Sequence, residues 1–469
     1  MENKILENLE VIDLADKGHG VARHEGQVIF VKNGVPGDKV SVKISHKRKG
    51  VRYGEIIGFS VPSGARTEPF CQHYGICGGC QYQHIHYSAQ LQFKQNEVLQ
   101  AFRRIGGFLS PPVLPVIASE KQQYYRNKLE FTFSARKWLE KYHLEDRSLE
   151  NKDLRGLGFH ISKMFDKVLD LEECYFQPDP SNEIRNSVRH FCIGKGWDFY
   201  NYRTHQGFLR NMVIRNSSTG QWMVIIVFAI HDPDNIAELM DFIADRYPIV
   251  TSLVYVVNEK RNDSYSDLEF QIYKGNSFMM EEMDGLVFRV GPLSFFQVNR
   301  DQALQLYQKV VEFAGFKGTE TVYDLYTGAG SIALFISRYV KKVIGIENVV
   351  TAIQDARINK ELNNIHNVEF ITGDIAATLN PDFVARHGTP DLVITDPPRS
   401  GMHNNVISML LYMVPEKIVY VSCNPSTQAR DIAMLSEKYL LTALQPVDMF
   451  PNTYHVECVA LLERKPDLN

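Results

Sequence analysis

Short alternating runs of apolar and polar residues open the chain. LEVIDLA, GQVIFV, DKVSVKI and RYGEIIGF are separated by the turn-forming stretches GHG, NGVPGD and KRKG. A period of two puts every second side chain on one face, so each run reads as a half-buried strand. Their close spacing over residues 1–60 predicts a small, five-stranded, OB-like β-barrel. The period then lengthens. HYSAQLQFKQNEVLQAFRRI (86–105) carries apolar residues every three or four positions and ends at Gly106-Gly107, which predicts an amphipathic helix.

From 124 to about 275, strand-like segments (NKLEFTFS, GLGFHI, LRNMVIRN, QWMVIIVFAI, SLVYVVNE) mix with helical ones, and the charged, irregular residues 135–153 read as an exposed connection. Beyond about 290 the rhythm becomes strand, loop, helix. The strands are TVYDLY, KVIGIE, NVEFIT, DLVITD, KIVYVS, a sixth near LTALQPVDMF, and HVECVALLE; helices include IALFISRY, VTAIQDARINKELNN and PSTQARDIAMLSEK. Such alternation predicts an α/β domain with a mostly parallel, doubly wound sheet. A chain of 469 residues exceeds one ordinary core. Three units are expected: the barrel over 1–60, a central α+β domain over 61–285 and the Rossmann-like domain over 286–469.

Composition narrows the class without naming it. Hydrophobic residues make up 44% and charged residues 23%, and no apolar run reaches the length of a membrane span. The polar start MENKILENLE is no signal peptide, so a cytoplasmic location with no membrane partner is expected. Thiols stay reduced there, and clustered cysteines then mean metal binding or catalysis. The net charge of −4 does not advertise a nucleic-acid binder, yet KISHKRKGVRYG (43–54) carries Lys43, Lys47, Arg48, Lys49 and Arg52 with no acid. Such a run is either a solvated face or, between two strands and beside Tyr53, a hairpin facing nucleic acid.

Candidate chemistry gathers at the strand ends of the last domain. Its first strand runs into Asp324-Leu-Tyr326-Thr-Gly328-Ala-Gly330-Ser331 and then a helix, so the backbone turns sharply enough to approach a ligand. Glu347 ends the second strand, nineteen residues beyond Gly328, where a carboxylate accepts from ribose hydroxyls. Asp374 ends the third, within reach of an adenine amino group; both acids would serve equally as helix caps. A nicotinamide dinucleotide or S-adenosylmethionine would fit this loop. The fourth strand ends Asp396-Pro397-Pro398-Arg399, which resembles the Asp/Asn-Pro-Pro motif of adenosylmethionine-dependent methyltransferases acting on nucleobases or amides. Where many of those place a stacking aromatic, this chain has Arg399, so a different acceptor atom is expected.

Cys423 supplies that alternative. It follows KIVYVS at the end of the fifth strand, where ligands of open α/β sheets bind, although a lone cysteine there is as readily a small buried hydrophobe. Carbon 5 of uracil attacks a methyl sulfonium only after a thiolate has added to carbon 6 and given carbon 5 carbanion character. A base must then remove the carbon-5 proton so that the thiolate leaves. Glu457 opens the otherwise apolar strand VECVALLE, and neighbouring strand ends would bring it near Cys423. Burial would raise its pKa into a useful range, whereas a solvent-facing position would leave it idle.

DLYTGAGSIAL, DPPRSG, VSCNPST, HVE and SFFQVN (294–299) together resemble the RNA uracil-5-methyltransferase family over nearly the whole chain. The resemblance implies Cys423 as nucleophile and Glu457 as general base. It implies that Gln297, Tyr326, Glu347, Asp374 and Asp396 contact S-adenosylmethionine or align the base, with Gly328 and Ser331 in the cofactor loop. Ser331 stands where rRNA-type members often have Asn, which leaves its contact in doubt.

Cys71, Cys77 and Cys80, with the distant Cys174, form a second group whose spacing admits zinc or an iron–sulfur cluster. The resemblance favours a [4Fe–4S] cluster in a structural role, and identifies the barrel with the TRAM domain of the rRNA-methylating branch. Arg126, Lys128, Arg210 and Arg215 are candidate phosphate contacts, or plain ion-pair partners. Cys192 and Cys458 read as core residues. The expected activity is methylation of a uridine in 23S rRNA, with RNA as the partner and no obligate protein partner implied. A tRNA uridine-5-methyltransferase and a non-catalytic RNA-binding iron–sulfur protein are the alternatives; cytosine-5 chemistry is disfavoured because Arg399 stands where a cysteine is usual.

Overall fold

The computed structural model describes residues 4–48, 50–139, 153–162 and 164–466. Lys49 of the basic run, and most of the connection read over 135–153, lie outside them. The strands Ile5–Ala15, His19–His24, Gln27–Lys32, Lys39–Arg48 and Val51–Val61 close into a barrel. Their alternation resolves as anticipated: Leu6, Val11, Ile29, Val31, Val40 and Val42 fill its interior. On the hairpin of the last two strands Lys47 lies opposite Arg52, with Lys43, Lys47 and Arg48 exposed.

A central seven-stranded sheet runs in the order Gln271–Gly275, Val250–Val257, Trp222–Phe228, Leu209–Asn216, Lys128–Ser134, Gly156–His160, Val168–Asp170. Only Trp222–Phe228 and Val250–Val257 pair in parallel, joined through the helix Pro233–Arg246. Asp232 caps that helix by accepting from Asn235, and Pro233 occupies its first turn, where a missing N–H costs nothing. Trp222–Phe228 is buried along its whole length, the mark of a strand covered on both faces.

The third sheet has the order Val368–Thr372, Lys342–Glu347, Thr321–Leu325, Leu392–Thr395, Lys417–Ser422, Glu457–Arg464, Tyr439–Val447. The first five are parallel and Glu457–Arg464 runs against its neighbours. Strand order reverses beside Thr321–Leu325, so the crevice at its carboxyl end is the expected ligand position. A hairpin of Met279–Met283 and Leu286–Val290 straddles the 285/286 boundary drawn above, and its Met283, Phe288 and Val290 belong to this core.

Residues far upstream complete the same unit. The helix Tyr87–Arg104 lies against the helix Pro425–Leu435, its Val98 and Phe102 buried among Tyr420, Ile432 and Leu435. Beyond it, Val113 and Ile117 pair in parallel with Leu444 and Val447. No helix among the described residues is long and apolar enough to cross a membrane.

Candidate active site

Two glycines open the crevice. Gly328 and Gly330 have φ of +56° and +81°, and a Cβ on Gly330 would stand 2.6 Å from the Phe370 ring, so a side chain is excluded there. Tyr326 also takes a positive φ, +65°, while its amide donates to Ile346. Glu347 is 8% exposed and accepts from the amides of Gly328, Asn348 and Val349 at 3.1, 2.8 and 2.9 Å. Asp374 caps the short helix Ile375–Thr378 through the Ala377 amide, so the capping alternative holds for it in part. Tyr326, Asn348 and Asp374 line a cleft of about 560 Å³ with Pro398, Ser400 and His403. Gln297 does not line it; this half-buried residue accepts at its carbonyl from Asn127 (2.9 Å). Ser331 shares a 2.9 Å hydrogen bond with Tyr307.

Asp324 lies one residue before the end of its strand, at the start of the glycine-loop motif. It is buried; one carboxylate oxygen accepts from Thr327, and the other, Oδ1, makes no hydrogen bond of good geometry. Burial pushes its pKa up to about 7 against the Thr327 hydrogen bond, and the nearby Asp396 adds to the rise. An orphaned carboxylate oxygen beside a glycine loop suits a cationic or amide-bearing ligand, since a buried acceptor left unmade is costly. The donor set therefore fits an adenosyl sulfonium cofactor.

Beside the crevice the antiparallel register pairs Ser422 with Cys458, which brings Cys423 opposite Glu457 on adjacent strands. Cys423 is half-buried, and its thiol pKa is pushed up by burial and by the charge of Glu457. The charge of Arg399 opposes that shift, with Asp396 also close enough to act on it. The Glu457 carboxyl is pushed up to about 8 by burial, with Asp396 adding and Arg399 opposing. Burial alone takes Asp396 to about 7. The Asp396–Arg399 loop is fastened to the cysteine loop by Asn424 and Thr427, which donate to the Arg399 carbonyl at 2.9 and 3.2 Å. A thiol, two carboxyls of raised pKa and one guanidinium thus lie close enough to act on one another's charge, a set able to add to a carbon centre and take back a proton.

Cys71, Cys77, Cys80 and Cys174 are all free and line one cavity with Phe159, Phe176 and Gln83. The Gly79 amide donates to the Cys77 sulfur at 3.4 Å and Gln83 Nε2 to the Cys80 sulfur at 3.1 Å. Four soft donors with N–H groups directed at sulfur suit a thiolate-bound cluster in kind. No group of three or more His, Cys, Asp or Glu that could hold a metal ion is found among the described residues, so the iron–sulfur expectation gains no support from metal-type geometry. Cys192 and Cys458 are fully buried in the cores.

Two of the phosphate candidates are corrected. Arg210 is fully buried and donates to the carbonyls of Asn258, Lys260 and Asn262 and to Asp263. Arg215 is 2% exposed and donates to the carbonyls of Gly291, Pro292 and Ser294. Both bind the chain itself, because a buried guanidinium must fill its donors internally. Arg126 and Lys128 instead line an open cleft of about 880 Å³ with Phe165 and Val298. His455, absent from the site as read from sequence, packs against Tyr454 and Phe450; burial and Arg399 hold its pKa down at about 4, so it is neutral. Its position in HVE was the available signal.

Residues 277–465 match the family model described as tRNA (Uracil-5-)-methyltransferase, and residues 7–57 match the TRAM domain. An "Uncharacterized RNA methyltransferase" of Bacteroides thetaiotaomicron is 48% identical over 453 residues, covering 96% of this chain and 100% of that protein. One of the same description from Porphyromonas gingivalis is 45% identical, covering 98% and 100%. Among solved structures, the Pyrococcus abyssi tRNA (uracil-54, C5)-methyltransferase in complex with S-adenosyl-L-homocysteine superposes with a TM-score of 0.75. It is 29% identical and covers 97% of this chain and 100% of that one. The protein is a SAM-dependent RNA methyltransferase and belongs to the RNA uracil-5-methyltransferase family.

Proposed function

We propose that the protein methylates carbon 5 of a uridine in 23S rRNA, with Cys423 as nucleophile and Glu457 as general base. The observation that carries this reading is the cross-strand pairing of Ser422 with Cys458, which sets the thiol and the buried carboxyl side by side. The Cys423 thiolate adds to carbon 6, and the ring electrons shift toward carbon 5. Gln297, Tyr326, Gly328, Ser331, Glu347 and Asp374 would hold S-adenosylmethionine, which would supply its methyl group to carbon 5 and leave as S-adenosylhomocysteine, with Asp396 aligning the uracil. Glu457 then takes the proton from carbon 5, the carbon 5–carbon 6 double bond re-forms, and the Cys423 thiolate departs. Arg399 stabilises the thiolate before addition and after elimination, a role supported by its nearby positive charge, which lowers the thiol pKa.

In this reading Cys71, Cys77, Cys80 and Cys174 hold a [4Fe–4S] cluster that braces the chain and takes no part in the reaction. Support comes from the cavity the four thiols share. The units over 1–60, 61–285 and 286–469 act as an RNA-binding barrel, a central brace and the transferase, in the cytoplasm. The target uridine must leave its stack to reach Cys423, which costs least in a loop. A tRNA substrate is the second reading, favoured by the likeness to the Pyrococcus abyssi tRNA (uracil-54, C5)-methyltransferase. Mass spectrometry of 23S rRNA and tRNA from a deletion strain tests both. Loss of one 5-methyluridine from rRNA supports the first reading, loss from tRNA alone the second, and no loss from either rejects both.

A further inference from the structure

Glu457 lies four residues after Thr453, the end of a turn that nearly every neighbouring segment grips. Asp448 at its start is fully buried and accepts from Lys94 Nζ (2.5 Å), from the Tyr87 hydroxyl (2.8 Å) and from the Phe450 amide (3.2 Å). Lys94 also donates to the Phe450 carbonyl at 3.0 Å, and the Tyr125 hydroxyl to that of Pro451 at 3.1 Å. Asn452 is the centre. It is 3% exposed and holds φ of +65°, a conformation Asn tolerates better than most residues. Its amide donates to Gln90 Oε1 (3.0 Å), its Oδ1 accepts from Gln90 Nε2 (3.2 Å), and its Nδ2 donates to the Gln122 carbonyl (2.9 Å).

The Asn452 carbonyl accepts from two consecutive amides, Gln81 and Tyr82, both at 3.0 Å. These are the residues directly after Cys80. Their loop is itself fastened: the Tyr74 hydroxyl donates to the Gln81 carbonyl at 2.7 Å, and Gln83 spans the Cys71 amide and the Cys80 sulfur. On the other side, the Thr453 hydroxyl donates to the Phe450 carbonyl (2.8 Å) and accepts from the His455 amide (3.3 Å), while the His455 ring packs on Tyr454 and Phe450. Val456 is buried, and Glu457 follows. Hydrogen bonds therefore connect the cysteine-lined loop to the turn at Asn452–His455, and two residues of chain carry that turn to Glu457.

We propose that Asn452 is a positioning residue for Glu457, and that the Cys71–Cys80 loop sets the placement of the base through the Gln81 and Tyr82 amides. This rests on the assignment of Glu457 as base. It explains why a cysteine-lined brace lies in a transferase that needs only one thiol. When the Cys80 loop loosens, the Asn452 carbonyl loses two donors, the turn gains freedom and the carboxylate drifts from carbon 5. Addition and methyl transfer, which depend on Cys423 and its own strand, proceed; proton removal and elimination slow.

The test separates those stages. Asn452→Gly keeps the left-handed backbone accessible but removes the two side-chain hydrogen bonds to Gln90 and Gln122; Gln90→Leu attacks the same turn from the helix; Cys80→Ser attacks it from the loop. Each variant is compared with Glu457→Gln for RNA affinity, for turnover, for the denaturant-stable protein–RNA adduct, and for hydrogen exchange over residues 449–456. The expected result is unchanged RNA affinity, turnover lower by about a hundredfold as for a base displaced by an ångström, accumulated methylated adduct, and faster exchange in the turn. Adduct and turnover falling together, or turnover unchanged despite faster exchange, overturns the positioning role. If Glu457→Gln itself accumulates no adduct, the base assignment falls and the relay with it.

Discussion

In the proposed reaction Cys423 and Glu457 act only as anions, yet each sits where burial and a neighbouring carboxyl disfavour charge. Two consequences follow at this scale. Turnover should rise as pH climbs toward about 8, where Glu457 ionises, and Asp396→Asn should move that limb to lower pH by removing one like charge. An unmoved limb would exclude Glu457 as the titrating group. The same shift appears in stability with the opposite benefit. Because the folded-state pKa lies above the ordinary value of 4.5, the protonated form favours folding; that stability is full below 4.5 and is lost as pH rises through about 8. Glu457→Gln should therefore melt above the wild type at pH 8 and level with it near pH 5. Cys423→Ala should retain its fold and RNA affinity while turnover falls below about one-thousandth of wild type, as for loss of a covalent nucleophile.

Among the elements, the helix Tyr87–Arg104 ties the upstream chain to the last sheet. Its Lys94 and the Asp448 it meets are both fully buried, so neither charge has water to fall back on. Lys94→Met leaves Asp448 uncompensated and should cost about 3–5 kcal/mol. Adding Asp448→Leu should recover much of that loss, since replacing both charges by apolar groups is often near neutral. Urea titration measures both. The strand Leu209–Asn216 makes a related point: Arg210→Ala should destabilise the central sheet yet leave the salt dependence of RNA binding untouched, because its guanidinium faces carbonyls of this chain.

In the proposed reading, recognition and chemistry stand on different units of the molecule. The barrel presents Lys43, Lys47 and Arg48 on one exposed hairpin, while the net charge of the chain is −4. RNA should therefore be drawn to a local patch rather than to the protein at large. Lys47→Glu with Arg48→Glu should weaken RNA binding similarly across sequences. The slope of log affinity against log salt should shrink by about 1.4 if each residue neutralises one single-stranded phosphate. The adduct formed at Cys423 should keep the same chemistry at saturating RNA.

The barrel and the parallel sheet were legible along the chain because each relies on local periodicity. LEVIDLA and RYGEIIGF alternate as barrel strands must, and TVYDLY, KVIGIE and DLVITD are continuous apolar runs because a parallel sheet is covered on both faces. The strand-end residues were legible for the same reason: Tyr326, Glu347, Asp374, Asp396 and Cys423 each follow a strand that announces itself. What tertiary structure alone decided are contacts between residues hundreds of positions apart. Nothing local marks Arg210 as a core residue and Lys128 as a cleft residue, since burial of a long cation depends on which carbonyls the fold brings to it. Lys94 meets Asp448 across 354 positions, and Gln81 and Tyr82 meet Asn452 across a similar span. Hydrogen bonds of that separation leave no periodicity in the sequence, because their partners are set by how sheets and helices pack, and that packing is what holds Glu457 beside Cys423.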